Sequence, residues 1–355
     1  MFGPFRPAAL AALMLAACTG EPGGPGPLGQ STRQFYLGFS GFPPRIDQGV
    51  AIQALEAWTR RADIAIVHEE LPWTDLLAGV APDTILRREK DGLINYYRLK
   101  GLKLVFIADP NDGLARQSEA PQLRALGRSF TEPAVQAAYR EWILAFVRRF
   151  RPEYVGLVAE TNLIRLAAPA PLYQAIVSAA RTTAALVKAL PNPPKVFVSV
   201  QVEVAWGKLV GGPYLGIEQD FVDFPFLELL GLSSYPYFGW PDPDQLPTDY
   251  YRRPLNGRNV PVMVVEGGWA SESAAGFTST PAAQARYFRR QLALLAETTA
   301  IGWLQLAPTD IDLPFFPADL RELIRPFASL GVYDVQLRPK PALAVWDSVF
   351  SLPRK

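Results

Sequence analysis

The sequence predicts an α/β chain whose strands close into a single (β/α)8, TIM-type barrel. Three observations carry that expectation. Eight short apolar or β-branched runs follow one another, longer amphipathic patterns separate them, and no linker divides the chain from residue 35 to residue 355. An open doubly wound sheet is the competing architecture, but it calls for a Gly-rich phosphate turn after an early strand, and none is present.

The strand runs fall at 35–40, 64–68, 102–108, 154–159, 196–202, 229–233, 262–265 and 301–306. Helical periodicity marks 48–61, 132–150, 171–190 and 281–297 among the segments between them. The last of these opens on Ser279-Thr280-Pro281, where a capping hydroxyl precedes a proline at the first helical position. The segment from Tyr237 to Pro254 carries Pro241, Pro243 and Pro247 and reads as a long ordered loop that walls a cleft.

The N-terminus reads as an address. One basic residue, Arg6, precedes an apolar run from Ala8 to Ala17 and then Cys18 behind small residues, the pattern of a secretion signal over residues 1–17. Leu15-Ala16-Ala17-Cys18 resembles the lipobox of bacterial lipoproteins, which implies cleavage before Cys18, lipidation of it, and a mature chain held on a membrane outside the cytoplasm. Residues 18–34 are Gly/Pro-rich and aperiodic, as expected of a flexible tether.

Composition excludes several chemistries. With 35 Lys+Arg against 34 Asp+Glu the chain has no basic excess of the kind nucleic acid requires. His68 is the only histidine and Cys18 the only cysteine, which removes His-rich metal centres, zinc-thiolate sites and Cys/His nucleophilic pairs, so no metal or cofactor is expected. The 8 Trp, 13 Tyr and 20 Phe supply flat apolar rings suited to a carbohydrate ligand bound by a monomeric barrel.

A barrel places its chemistry at the carboxyl ends of its strands. Strand four runs Tyr154-Val155-Gly156-Leu157-Val158-Ala159-Glu160, and period-two alternation puts Gly156, Val158 and Glu160 on one face. On strand seven the face of Val262 and Val264 carries Glu266, followed by Gly267 and Gly268, where a tight turn fits. Glycoside hydrolysis uses two such carboxyl groups, one to protonate the leaving oxygen and one to attack the anomeric carbon or activate water. Glu203, Asp109, Glu69 and Glu70 end other strands and compete for these roles or for sugar hydroxyls.

This order of motifs resembles the clan A glycoside hydrolases, retaining (β/α)8 enzymes with the acid/base glutamate after strand four and the nucleophile after strand seven. Val265-Glu266-Gly267-Gly268-Trp269 is similar to the nucleophile motif of the arabinogalactan endo-β-1,4-galactanase family. Gly231-Leu232-Ser233-Ser234-Tyr235-Pro236-Tyr237 resembles the end of strand six, whose tyrosine bonds the nucleophile, and Leu330 to Leu343 resembles the closing segment. The resemblance implies Glu160 as acid/base, Glu266 as nucleophile and Tyr235 as its orienting partner. It also directs attention to Trp303, Trp269, Tyr237, His68, Glu203 and Asn162 as sugar contacts. Two departures stand out: Ala159 occupies the place of the clan's Asn before the acid/base, with Asn162 the nearest substitute, and His68 ends strand two where the clan has arginine. The expected activity is retaining hydrolysis of a β-linked saccharide, and the alternative is a non-catalytic carbohydrate-binding lipoprotein on the same scaffold.

Overall fold

The computed structural model describes residues 31–274 and 276–355. The signal expected over residues 1–17, the lipidation site Cys18 and most of the tether lie outside the described residues.

Eight parallel strands form the barrel: β1 Tyr36–Ser40, β2 Ile64–Glu70, β3 Lys103–Asp109, β4 Tyr154–Gly156, β5 at 195–201, β6 Leu230–Ser234, β7 Val262–Gly267 and β8 Ala300–Gln305. Strand β5 is broken at Val198 into Lys195–Phe197, which pairs with β4, and Ser199–Gln201, which pairs with β6. Across the break Ser199 N–H donates to Val158 O at 3.0 Å and Gly231 N–H donates to Val198 O at 2.9 Å. With β1 paired to β8, these bonds complete the ring.

Two apolar layers hold it together. Ile64, Ile66, Val105, Ile107, Phe197 and Met263 belong to an inner cluster drawn from the strands, while Val155, Val200, Val262 and Val264 pack outward against the helices. Glycine makes room inside: a Cβ on Gly156 or Gly231 would stand 2.9 Å from the ring of Phe197. The helices start as their sequences suggest, with Asp47 capping Val50 N–H and Thr280 capping Ala283 N–H ahead of Pro281. Helix Pro133–Phe150 ends on Arg151 in the left-handed conformation, φ +47°.

The described chain enters and leaves on the N-terminal face of the barrel. Arg33 N–H donates to Pro353 O and Lys355 N–H to Arg33 O, both at 3.0 Å, which ties the two ends of the described chain together. Among the described residues, every strand and helix and all three apolar clusters lie between Arg33 and Lys355.

Candidate active site

Glu160 and Glu266 both open into the mouth at the C-terminal ends of the strands, but neither arrives there by simple alternation. In β4 the regular pairing stops at Gly156. Val158 belongs to the outer layer and Ala159 to the inner one, and Glu160 adopts a left-handed backbone at φ +53°, ψ +47°. Its N–H donates to Ser199 Oγ at 3.0 Å, which fixes that turn to the second half of β5. In β7 the expected phase is reversed: Met263 and Val265 face inward, Val262 and Val264 outward. A bulge then shifts the register, so that Leu232 pairs with Val264 but Ser233 pairs with Glu266. The extra residue turns the following side chain to the other face of the sheet, which brings Glu266 into the mouth. Gly267 and Gly268 follow at φ +141° and +143°, and a Cβ on Gly267 would stand 2.1 Å from Ser234 O, so only glycine fits.

A chain of alternating charges connects the two glutamates. Glu160 Oε2 accepts from Arg116 Nε at 2.9 Å, and Arg116 Nη1 donates to Asp109 Oδ1 at 2.6 Å. His68 Nε2 lies 2.9 Å from Asp109 Oδ2, and its Nδ1 lies 2.9 Å from Glu266 Oε2. Tyr235 then donates its hydroxyl to Glu266 Oε1 at 3.1 Å. Arg116 and Asp109 are buried, while Glu160 and Glu266 each keep 7% of their surface open. In such surroundings unpaired charge is costly and paired charge is held in one geometry.

This arrangement pushes the two glutamates apart in proton affinity. Burial raises Glu160, and the charge of Glu266 adds to burial against the opposing pull of Arg116. Burial would raise Glu266 too, but its hydrogen bond and charge contact with His68 outweigh that and hold it below the ordinary carboxylate range. Burial opposes a charged His68, yet Asp109 and Glu266 prevail and lift it to about 10, so the ring is cationic at neutral pH. Asp109 is lowered to about 2 because Arg116 and His68 outweigh its burial. Proton affinities pushed in opposite directions in two neighbouring glutamates are the split that acid and nucleophile require.

The structure places the other expected residues as follows. His68 has both ring nitrogens on carboxylates, so it supports Glu266 and is not free for a sugar. Asn162 is fully buried, with Nδ2 donating to Gln201 O and Oδ1 accepting from Gln201 N–H, and it ties helix Thr161–Ala167 to β5 rather than facing the mouth. Glu203 is also fully buried, beneath Tyr235, where it accepts from Tyr235 N–H at 3.1 Å, from Gln201 Nε2 at 2.7 Å and from the Tyr250 hydroxyl. Burial pushes its carboxyl up to about 7.

Trp303 and Trp269 are fully enclosed in the outer layer instead of flooring the cleft. Trp303 packs on Phe288 and Trp346, and its indole N–H donates to Gln305 at 2.7 Å in the amide orientation that satisfies both side chains. Trp269 donates to Ser279 Oγ at 2.9 Å. Tyr237 is buried with its hydroxyl on Pro326 O at 3.0 Å. The loop from Tyr237 to Pro254 is pinned on two sides, with Asp242 and Asp244 paired to Arg286 on helix Pro281–Ala296 and the Tyr250 hydroxyl on Glu203. The rings left partly open around Tyr235 are Phe238 and Phe327, with centroids 6.1 and 5.1 Å from it.

Arg116 is the site residue that sequence reasoning did not find. It sits in the loop after β3, which Asn111 folds back by donating to Arg116 O at 2.7 Å while Asp112 caps Leu114 and Ala115 N–H. Asp112 and Asn111 signal a turn, but nothing in the local pattern says that the arginine points back to Asp109 and Glu160.

Fold and mouth together define a (β/α)8 barrel of the kind glycoside hydrolases use. The sequence matches no protein-family model and no curated protein sequence. Solved structures do resemble it. An exo-β-1,4-mannosidase from an Opitutaceae bacterium superposes with a TM-score of 0.64 at 15% identity, over 90% of this chain and 59% of that one. A GH5_18 protein from Bifidobacterium longum subsp. longum gives 0.63 at 14% identity, over 91% and 81%; a variant of it was solved with Manβ1-4GlcNAc. A β-glucuronidase from Ruminococcus gnavus gives 0.58 at 12% identity, over 90% and 50%. This chain therefore spans little more than half the length of the mannosidase and half that of the glucuronidase. At these identities the likeness is one of fold.

Proposed function

We propose that this protein is a retaining glycoside hydrolase of the clan A pattern, acting on a β-linked saccharide outside the cytoplasm while anchored through a lipid on Cys18. The observation that carries the reading is the pairing of Glu160 and Glu266 in one mouth, with Tyr235 and His68 on Glu266 and with their proton affinities pushed in opposite directions.

In this reading Glu266 attacks the anomeric carbon and becomes a glycosyl ester, while Glu160 gives its proton to the leaving oxygen. Glu160 then takes a proton from water, which attacks the ester and releases the sugar with its configuration retained. Tyr235 and His68 donate to the two oxygens of Glu266 and aim it; His68, cationic, also keeps it ionised. The mannosidase and the protein solved with Manβ1-4GlcNAc make β-mannosides the first substrates to try, and the strand-seven motif adds β-1,4-galactans. Hydrolysis of a panel of β-glycans by residues 31–355, alongside Glu160→Gln and Glu266→Gln, tests the proposal. Loss of activity in both variants supports it; undiminished activity in either one removes that residue from the mechanism.

A further inference from the structure

We infer that the N-terminal face of the barrel is an anionic-membrane-binding surface, centred on a cavity that takes the phosphate of a lipid headgroup. Because all eight strands are parallel, every segment that leads from a helix end into a strand lies on this one face, opposite the mouth. These segments are rich in Lys and Arg in a chain of net charge +1.

Some of that charge is already spent. Arg98 pairs with Glu153, Arg149 with Asp83 and Asp91, Lys188 with Glu228, and Arg61 with Asp347. Among the described residues, Arg60, Lys100, Arg148, Arg151, Lys195 and Lys355 remain exposed with no carboxylate within ion-pair distance. Against them stand Glu297 and Glu56, both exposed and likewise without an ion pair among the described residues. Lys and Arg in the last turn of a helix offset its dipole, which accounts for Arg148. The same holds for Lys100 and Arg151, which cap their helices, but not for Lys195 and Lys355, which lie beyond helix ends.

Three of the free cations converge. Arg148, Arg151 and Lys195 line a cavity of about 640 Å³ between the starts of β4 and β5, whose walls include Pro191, Pro193 and Pro194. Arg151 is held there by its left-handed backbone and by its N–H bond to Val147 O. Guanidinium and ammonium groups around a rigid concavity suit a phosphate monoanion or diester. Glu153, in the same wall, is occupied by Arg98 and by Leu104 N–H.

Where the chain enters the fold selects a membrane as the source of that phosphate. Arg33 is on this face, and Cys18, the proposed anchor, is 15 residues upstream. Fifteen residues reach at most about 50 Å when fully extended. A lipid on Cys18 would therefore hold the basic face within that reach of the leaflet, and contact would bring its cations within the ~10 Å over which surface charge acts. The glutamates of the mouth then face away from the lipid, toward substrate.

The test is co-sedimentation of residues 31–355 with vesicles, so that the anchor cannot contribute. Binding is expected to phosphatidylcholine vesicles containing phosphatidylglycerol and not to pure phosphatidylcholine. It should weaken at least about tenfold as salt rises from about 0.05 to 0.5 M. The triple variant Arg148→Gln, Arg151→Asn, Lys195→Gln should lose about tenfold or more, asparagine being chosen because it tolerates the left-handed backbone. Lys208→Gln, on the opposite face and exposed, should bind like the parent. Absence of binding to the anionic vesicles, equal binding to neutral ones, or a triple variant with unchanged binding overturns the inference. So does release of the protein from vesicles by inorganic phosphate but not by chloride of equal ionic strength, which would assign the cavity to free phosphate. None of these outcomes depends on glycosidase activity.

Discussion

The ring of His68 joins Asp109 to Glu266, with Nε2 2.9 Å from Asp109 Oδ2 and Nδ1 2.9 Å from Glu266 Oε2. A single imidazolium thus stabilises two carboxylates from β3 and β7, and one of them is the proposed nucleophile. His68→Gln removes the cation while leaving a polar side chain. Glu266 should then titrate higher, because the hydrogen bond and charge of His68 are what hold it down. The acidic limb of the pH–rate profile is expected to move up, with the alkaline limb, set by Glu160, moving less. An unmoved acidic limb would detach His68 from Glu266.

Tyr235 holds the other oxygen of the same carboxylate. Its ring packs on Phe327 and Phe238, so Tyr235→Phe keeps the packing and deletes one hydrogen bond. A bond to a charged group contributes about 1.5 to 3 kcal/mol, which corresponds to a fall in kcat of roughly 10- to 150-fold. KM and the unfolding midpoint should change little.

Arg116 is the buried cation between Asp109 and Glu160. Arg116→Met leaves both carboxylates without it, and uncompensated buried charge should cost about 3 to 5 kcal/mol in urea unfolding. Arg87→Met, which breaks an exposed pair with Asp83, should leave the unfolding midpoint where it was.

Glu203 gives a pH signature of stability rather than of activity. Its carboxyl titrates near 7 in the folded chain because of burial, against 4.5 ordinarily, so folding favours its protonated form. The stability tied to that proton is complete below about pH 4.5 and is lost as pH rises through about 7. The loss is on the order of 3 kcal/mol, and Glu203→Gln should lack it between pH 5 and pH 8. Urea unfolding at the two pH values measures the difference.

Trp303 supplies a prediction that separates packing from sugar contact. It is enclosed by Phe288 and Trp346, so Trp303→Ala should cost about 3 to 5 kcal/mol of stability. If the variant folds, its KM for saccharide should stay within about twofold of the parent's, whereas loss of a stacking platform would raise it more.

The barrel was legible because strand and helix periods repeat eight times, and local patterning alone sets them. The positions of Glu160 and Glu266 in the mouth were legible too, but for a reason the structure replaces. A left-handed residue at Glu160 and a bulge before Glu266 undo the alternation that seemed to place them, and neither event leaves a mark in the apolar pattern. The aromatic residues misled because Trp269 just after β7 and Trp303 within β8 stand where either packing or stacking fits; only the helices laid over them decide which. Arg116 was hidden because its partners, Asp109 and Glu160, are 7 and 44 residues away in the chain.

The two-carboxylate mechanism is tested most directly by trapping its intermediate. A 2-deoxy-2-fluoro-β-glycoside with an activated leaving group, matched to whichever sugar the panel identifies, should inactivate the protein stoichiometrically. Mass spectrometry of the digested protein should find the sugar on Glu266, and Glu160→Ala should accept it from the activated glycoside yet release it slowly. A label on another carboxylate, or hydrolysis that inverts the anomeric centre without any label, would contradict the assignment.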